Sequence, residues 1–270
     1  MLAAGNAAHA IVVGGSNPNS ANVLYGQPVD GVNLSGVVTV TSSIGGCTGT
    51  LLSDGRSILT AGHCVTSSYG SALASGITVT FLGPSGNVTT SVASVAVNPG
   101  WTGNSTLGGD LAVLLLSVPA PAFASGYDLY TGSVPFTSPV VVAGYGLGGT
   151  GLTGAVTSYG TLRAGENEYV VTGSAFGWSS TLLIAQFYES SQPSTNALNA
   201  AYPYSSADLV TIAHGDSGGP SFYNGQIIGV HDLGICFTSV TFPNLCATPP
   251  SVNSANNSYF GELFADTSVA

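Results

Sequence analysis

Residues 214–220 read HGDSGGP: two adjacent polar side chains, Asp216 and Ser217, set among three glycines and closed by Pro220. Glycine reaches backbone conformations that other residues avoid, so this stretch can turn tightly and let main-chain N–H groups converge beside Ser217. Taken alone, a serine here means little. The chain has 270 residues, 38 of them glycine, with 44% hydrophobic and only 5% charged positions. It can build a core, while its surface must be largely Ser, Thr, Asn and Gly. Ser217 gains chemical meaning only if the chain also supplies a base to take its proton and a group to orient that base.

Two other stretches supply these groups. In ILTAGHC (58–64) an apolar strand runs into a turn that presents His63 beside Cys64. In GGDLAVLLL (108–116) Asp110 opens a long apolar strand and lies at the edge of the interior, where a carboxylate needs a partner. Singly, each has a plainer reading, a packed histidine and a turn aspartate. Together the three stretches hold every component of acyl transfer: nucleophile, base, orienting carboxylate, and backbone donors for an oxyanion.

Charge narrows the partners. There is no lysine, Arg56 and Arg163 are the only fixed cations, and the formal charge is -10, which leaves no basic patch for phosphates and excludes nucleic acid. No apolar run approaches the ~18 residues of a membrane span. Residues 6–10, NAAHA, end in the small-x-small pattern that precedes a signal peptidase cut. Residues 1–10 are read as the remnant of an export signal or propeptide, or else as an Ala-rich terminus outside the fold. Cys47, Cys64, Cys236 and Cys246 form an even set without CxxC or metal-ligand spacing, so no metal and no cofactor are expected. Two disulfides in an oxidising compartment fit this set better than four buried thiols.

Strand signals dominate. GVVTVT (36–41), ITVTFL (77–82), LAVLLLSV (111–118), PVVVAGYG (139–146), EYVVTG (168–173) and QIIGVH (226–231) are short, β-branched and bounded by turn residues. Helical signals are confined to ALNAAY (197–202) and AGHCVT (61–66). The Pro-, Gly- and Ser-rich stretch between Ser117 and Pro139 separates two strand-dense halves. An all-β protein of two lobes is predicted: residues 11–122 carrying His63 and Asp110, a linker over 123–138, and residues 139–270 carrying Ser217.

Four features, in order along the chain, resemble the chymotrypsin-like (trypsin-fold) serine proteases: IVVGG (11–15), TAGHC (60–64), DLAVLLL (110–116) and GDSGGP (215–220). The resemblance implies two six-stranded antiparallel β-barrels with the active site in the cleft between them. It implies a secreted or periplasmic serine endopeptidase acting as a monomer on a protein or peptide substrate. In that scheme Ser217 attacks the carbonyl, His63 serves as general base and then acid, Asp110 orients His63, and the N–H groups of Gly215 and Ser217 form the oxyanion hole. Cys47 corresponds to the cysteine that bridges to the one beside the catalytic histidine, here Cys64. Ala213 stands where the family places another cysteine, which leaves Cys236 to pair with Cys246.

The resemblance also gives Asp216 a role, a buried ion pair with the α-amine of the mature N-terminus. Either Ile11 or Val12 can be that residue, since the glycines follow Val12 in the family's spacing while a cut after Ala10 frees Ile11. Thr211 occupies the place where members that cleave after Arg or Lys carry Asp, which disfavours a basic P1 residue. HDLGI (231–235) aligns with the opposite pocket wall, so Leu233 and Gly234 offer backbone for pairing with an extended peptide. His231, with His214 nearby, is either a recogniser of an acidic P1 side chain or an ordinary strand histidine. Asp232 falls where the family usually has a serine touching the triad aspartate, and a second carboxylate near Asp110 raises the pKa of one of the two. A catalytically silent homologue serving as a secreted binding protein is the competing reading.

Overall fold

The computed structural model of the chain describes residues 11–67, 72–191, 196, 198–200, 203, 205, 208–235 and 262–270. Residues 1–10, Cys236, Cys246 and much of the 197–202 segment lie outside the described residues. The sixteen strands among those described are numbered in chain order. Six of them, β2 (Val37–Ser42), β3 (Gly45–Leu51), β4 (Ser57–Thr60), β5 (Thr78–Phe81), β6 (Val88–Val97) and β7 (Ala112–Leu116), close a barrel in the order β2-β3-β4-β7-β6-β5. Six more, β8 (Pro139–Gly144), β11 (Arg163–Thr172), β12 (Leu182–Gln186), β14 (Pro220–Tyr223), β15 (Gln226–Ile235) and β16 (Leu263–Ser268), close a second in the order β11-β12-β16-β15-β14-β8. Closure removes the exposed edges that so many β-branched runs would otherwise present. Each of the six strands read from sequence lies within or across one of these twelve.

A third, four-stranded sheet has the order β10-β9-β1-β13, from β1 (Ile11–Val13), β9 (Gly148–Thr150), β10 (Gly154–Ala155) and β13 (Val210–Thr211). Its pairing departs from the division drawn on sequence. Ile11–Val13, assigned there to the first lobe, runs parallel to β9 and antiparallel to β13, with Val12 opposite Thr211. Such pairing was unreadable because three apolar residues carry no partner information. The stretch read as a linker is bridged in both directions within three residues: Tyr127 to Leu52 of the first barrel's side and Leu129 to Ile227 of the second.

One apolar cluster joins the barrels, running from Val38, Leu51, Phe81 and Leu114 to Val141, Ala143, Phe222 and Ile227. It fixes the two lobes against each other. Antiparallel pairing of β4 with β7 sets Thr60 opposite Ala112, so the residues just after β4 and just before β7 emerge at one end of the first barrel. The turn from Ala213 to Gly219 leads into β14 of the second barrel.

Candidate active site

His63 sits in a single 3-10 turn, Gly62–Cys64, that follows β4, and Asp110 lies two residues before the start of β7. The register of β4 on β7 therefore brings them together. Asp110 is fully buried, and both of its oxygens are engaged by one residue: Oδ1 accepts from the His63 main-chain N–H at 2.8 Å, and Oδ2 lies 2.5 Å from His63 Nδ1. A carboxylate so placed fixes the ring's orientation and puts the proton on Nδ1, leaving Nε2 as the basic nitrogen. The His63 side chain remains 33% exposed, so the ring can be reached from the cleft. Glycine at 62 makes the approach possible, since a Cβ there would lie 3.0 Å from Asp110 Oδ1 and 2.9 Å from Trp101 Cδ1.

The bridge between Cys47 and Cys64 ties this turn to β3. Its Cys64 sulfur is 3.9 Å from His63 Nε2 and 3.5 Å from the Ser217 carbonyl oxygen, so His63 and Ser217 flank one atom. Ser217 itself is partly exposed. First-barrel atoms hold its turn: the Thr48 N–H donates to Ser217 O at 2.9 Å, and Thr48 Oγ1 donates to Gly215 O at 2.9 Å. Gly215 and Gly218 have φ of 97° and 79°, the left-handed region that glycine tolerates. Within this turn the N–H groups of Asp216, Gly218 and Gly219 donate to Ala213, His231 and Asp216 carbonyls. No acceptor among the described residues takes those of Gly215 and Ser217.

Asp216 is fully buried, its Oδ1 accepting from Gly146 N at 2.7 Å and its Oδ2 from Ala213 N at 2.8 Å. Burial raises its carboxyl to about 6, against the pull of those two N–H groups and of the more distant His231 and Arg163. Ile11 and Val12 are fully buried in β1, and no ion pair to Asp216 is found among the described residues.

The residues read as pocket walls fall into different environments. His214 and Gly234 are exposed and Leu233 is partly so, while Thr211 is buried opposite Val12. His231 lies in β15. Its ring is fully buried, with Nδ1 2.8 Å from Asp266 Oδ1, and Asp266 Oδ2 accepts from Tyr169 and Ser221 hydroxyls at 2.5 and 2.6 Å. Burial disfavours its charged form, but the Asp266 charge and hydrogen bond outweigh this and raise its pKa. One ring nitrogen is thus committed to Asp266, as in an ordinary strand histidine, while Nε2 is buried without a hydrogen-bond partner among the described residues.

Asp232 turns the other way. It is the extra residue of a bulge, since His231 pairs with Asp266 and Leu233 with the next residue, Ala265. Bulges re-aim a side chain, and here Asp232 joins His63 and Asp110 in a cluster whose ligand atoms lie within 4.8 Å of one another. With His63 Nδ1 and both Asp110 oxygens taken up, this cluster is a hydrogen-bonded chain rather than an open set of metal donors. Burial first, then the Asp110 charge, raise the Asp232 carboxyl to about 9. Thr48 was not singled out by sequence reasoning, since a threonine in a strand carries no sign of what its hydroxyl will meet.

The trypsin family model matches residues 26–247. The chain belongs to the trypsin family. The matched span holds His63, Asp110 and Ser217 and stops short of β1 and β16, and it agrees with the paired barrels. No curated protein is significantly similar to the chain.

Proposed function

We propose that this trypsin-family chain is a secreted serine endopeptidase in which Ser217 is the nucleophile, His63 the general base and acid, and Asp110 the group that orients His63. The observation that carries this reading is the double engagement of buried Asp110 by His63, through Nδ1 and the main-chain N–H, in a turn whose disulfide sulfur also touches Ser217. Proton transfer from the Ser217 hydroxyl to Nε2 frees the alkoxide to attack a peptide carbonyl. The imidazolium then formed is stabilised by Asp110 and returns the proton to the leaving amine. The unclaimed N–H groups of Gly215 and Ser217 are suited to the oxyanion. Water repeats the cycle on the acyl-enzyme and releases the acid.

An extended substrate has backbone to pair with at Leu233 and Gly234, where β15 has passed its pairing with β14 and nothing lies within 4 Å of a Cβ built on Gly234. Thr211 brings no charge to the pocket, so a medium apolar or polar P1 residue is favoured over Arg or Lys. Buried Asp216, held among the described residues by the N–H groups of Gly146 and Ala213, has capacity for an ammonium from a mature N-terminus at Ile11 or Val12, which export processing after Ala10 would supply. The Cys47–Cys64 bridge fits an oxidising compartment.

Intact mass before and after a fluorophosphonate tests the reading, with Ser217→Ala as control. A single adduct on the native serine, absent in the variant, is expected on a chain beginning at Ile11 or Val12. A chain trimmed to that start yet free of adduct would leave the silent binding homologue as the better account.

A further inference from the structure

The Asp232 carboxyl poses a problem that the triad by itself does not resolve. Its Oδ2 accepts from Thr267 Oγ1 at 3.0 Å, but its Oδ1 is buried without a donor among the described residues. Beside it stands Asp110, already accepting twice from His63. Two ionised carboxylates in contact inside a protein repel strongly, and one of them resolves the conflict by retaining a proton. Asp110 is the one whose two oxygens are both already engaged by donors of His63. The proton therefore belongs on Asp232, where it turns the orphaned Oδ1 into a donor and removes the repulsion in the same step.

We propose that Asp232 is a positioning residue: a buried carboxylic acid that donates a hydrogen bond from its own proton to Asp110 and so fixes that carboxylate in line with His63. Its bulge location aims it there. The titratable groups facing it are Asp110 and His63, and the hydroxyls of Thr267 on β16 and of Ser105, before Asp110, complete its surroundings. His231 and Asp266, its neighbours on β15 and β16, are engaged with each other. Loss of the proton at alkaline pH puts a second negative charge against the triad and replaces a donor with a repelling oxygen. The inference deepens the protease reading and rests on it for its catalytic meaning.

The infrared difference spectrum between pH 7 and pH 10, taken on the native protein and on Asp232→Asn, tests the protonation without reference to catalysis. A protonated-carboxyl band that disappears with a midpoint near 9 in the native protein and is missing from the variant is expected. Identical difference spectra overturn the proposal. If Asp232→Asn does not fold, Asp110→Asn read in the same way decides: the midpoint falls by more than one pH unit if Asp110 faces the acid, and stays if it does not. For positioning, kcat/KM should decline above about pH 9 in the native enzyme. Asp232→Asn, which keeps an N–H donor, should retain activity and lose that decline, and Asp232→Ala should lose tenfold or more in kcat with KM little changed. An Asp232→Ala profile matching the native one overturns the role. If the native protein takes no fluorophosphonate and cleaves no peptide, the protease reading fails, while the infrared result still stands for or against the buried acid.

Discussion

Thr48 Oγ1 donates to the carbonyl of Gly215 at 2.9 Å, a hydrogen bond from the first barrel to the turn that carries Ser217 in the second. The same hydroxyl accepts from Tyr145 N at 3.0 Å, and the Thr48 N–H holds Ser217 O. One fully buried threonine thus ties the serine turn, β3 and the end of β8 into a single unit. The relation matters because Ser217 and His63, the proposed nucleophile and base, come from different barrels, and their alignment is only as good as the contacts between them.

Thr48→Val keeps the shape of that side chain and removes both bonds. It leaves a buried carbonyl and a buried N–H unmatched, at a cost of about 1–3 kcal/mol for each group left unsatisfied. Thermal unfolding should occur at lower temperature, and fluorophosphonate labelling of Ser217 should slow by at least tenfold in protein that is still folded. Unchanged labelling together with a lowered Tm would confine Thr48 to a structural role.

Gly218 leaves no room for a side chain. Its φ is 79°, and a Cβ would lie 2.1 Å from Thr60 Oγ1 and 2.4 Å from Thr48 O. One of those atoms is main chain, so relief requires the turn itself to move. Gly218→Ala should abolish labelling of Ser217, whereas Gly225→Ala, at a φ of 77° with nothing within 4 Å of its Cβ, should cost stability only. Rates of labelling in the two variants separate steric displacement of the site from backbone strain.

Removing the Cys47–Cys64 bridge as a double serine variant releases a loop with a sequence separation of 17. The chain-entropy model assigns such a loop about 3 kcal/mol. The sulfur also packs between His63 and Ser217, so the loss should be catalytic as well as thermal. Calorimetry should show a lower Tm, and the loss of kcat/KM should persist at temperatures where the variant is fully folded.

What was legible in the sequence divides along a physical line. The strands could be read because β-branching and bounding turn residues are local properties of each segment, their closure into two barrels was implied by the family resemblance, and His63, Asp110 and Ser217 stood out because each interrupts its surroundings with a polar group that needs a reason to be there. Partner choice was not local. Nothing in IVV tells that Ile11–Val13 lies between β9 and β13, and nothing in IGVHDLGI marks the bulge that sends His231 into the barrel and Asp232 toward Asp110. The conflict between Asp232 and Asp110 could be foreseen from spacing along the family motif, but its resolution depends on which oxygen already has a donor, and that is a property of the folded site alone.

The buried acids also set how stability responds to pH. The folded carboxyls of Asp216 and Asp232 are raised from 3.8 to about 6 and about 9, each mainly by burial. Each therefore binds a proton in the folded state over a range where the unfolded chain has released it, and the slope of stability against pH is negative there. Their contributions are complete below about pH 4 and decline as pH rises, that of Asp216 through about 6 and that of Asp232 through about 9. His231, raised above 6.5 once the Asp266 charge and hydrogen bond outweigh burial, acts in the same direction, its contribution being lost as pH climbs through the folded value. Arg163, lowered to about 9 by burial, works in the opposite sense but only above that pH. Asp54, lowered and largely exposed, acts only near and below its ordinary value of 3.8. Between pH 5 and pH 9 the signs agree, and self-repulsion of a chain with a formal charge of -10 adds to them. Thermal unfolding at pH 5, 7 and 9 should give a steadily falling Tm, by about 2–4 °C for each kcal/mol lost. In Asp232→Asn the fall between pH 7 and 9 should shrink. A native Tm that rises from pH 5 to 9 would show that the two carboxyls are ionised in the fold and that Asp232 holds no proton to give.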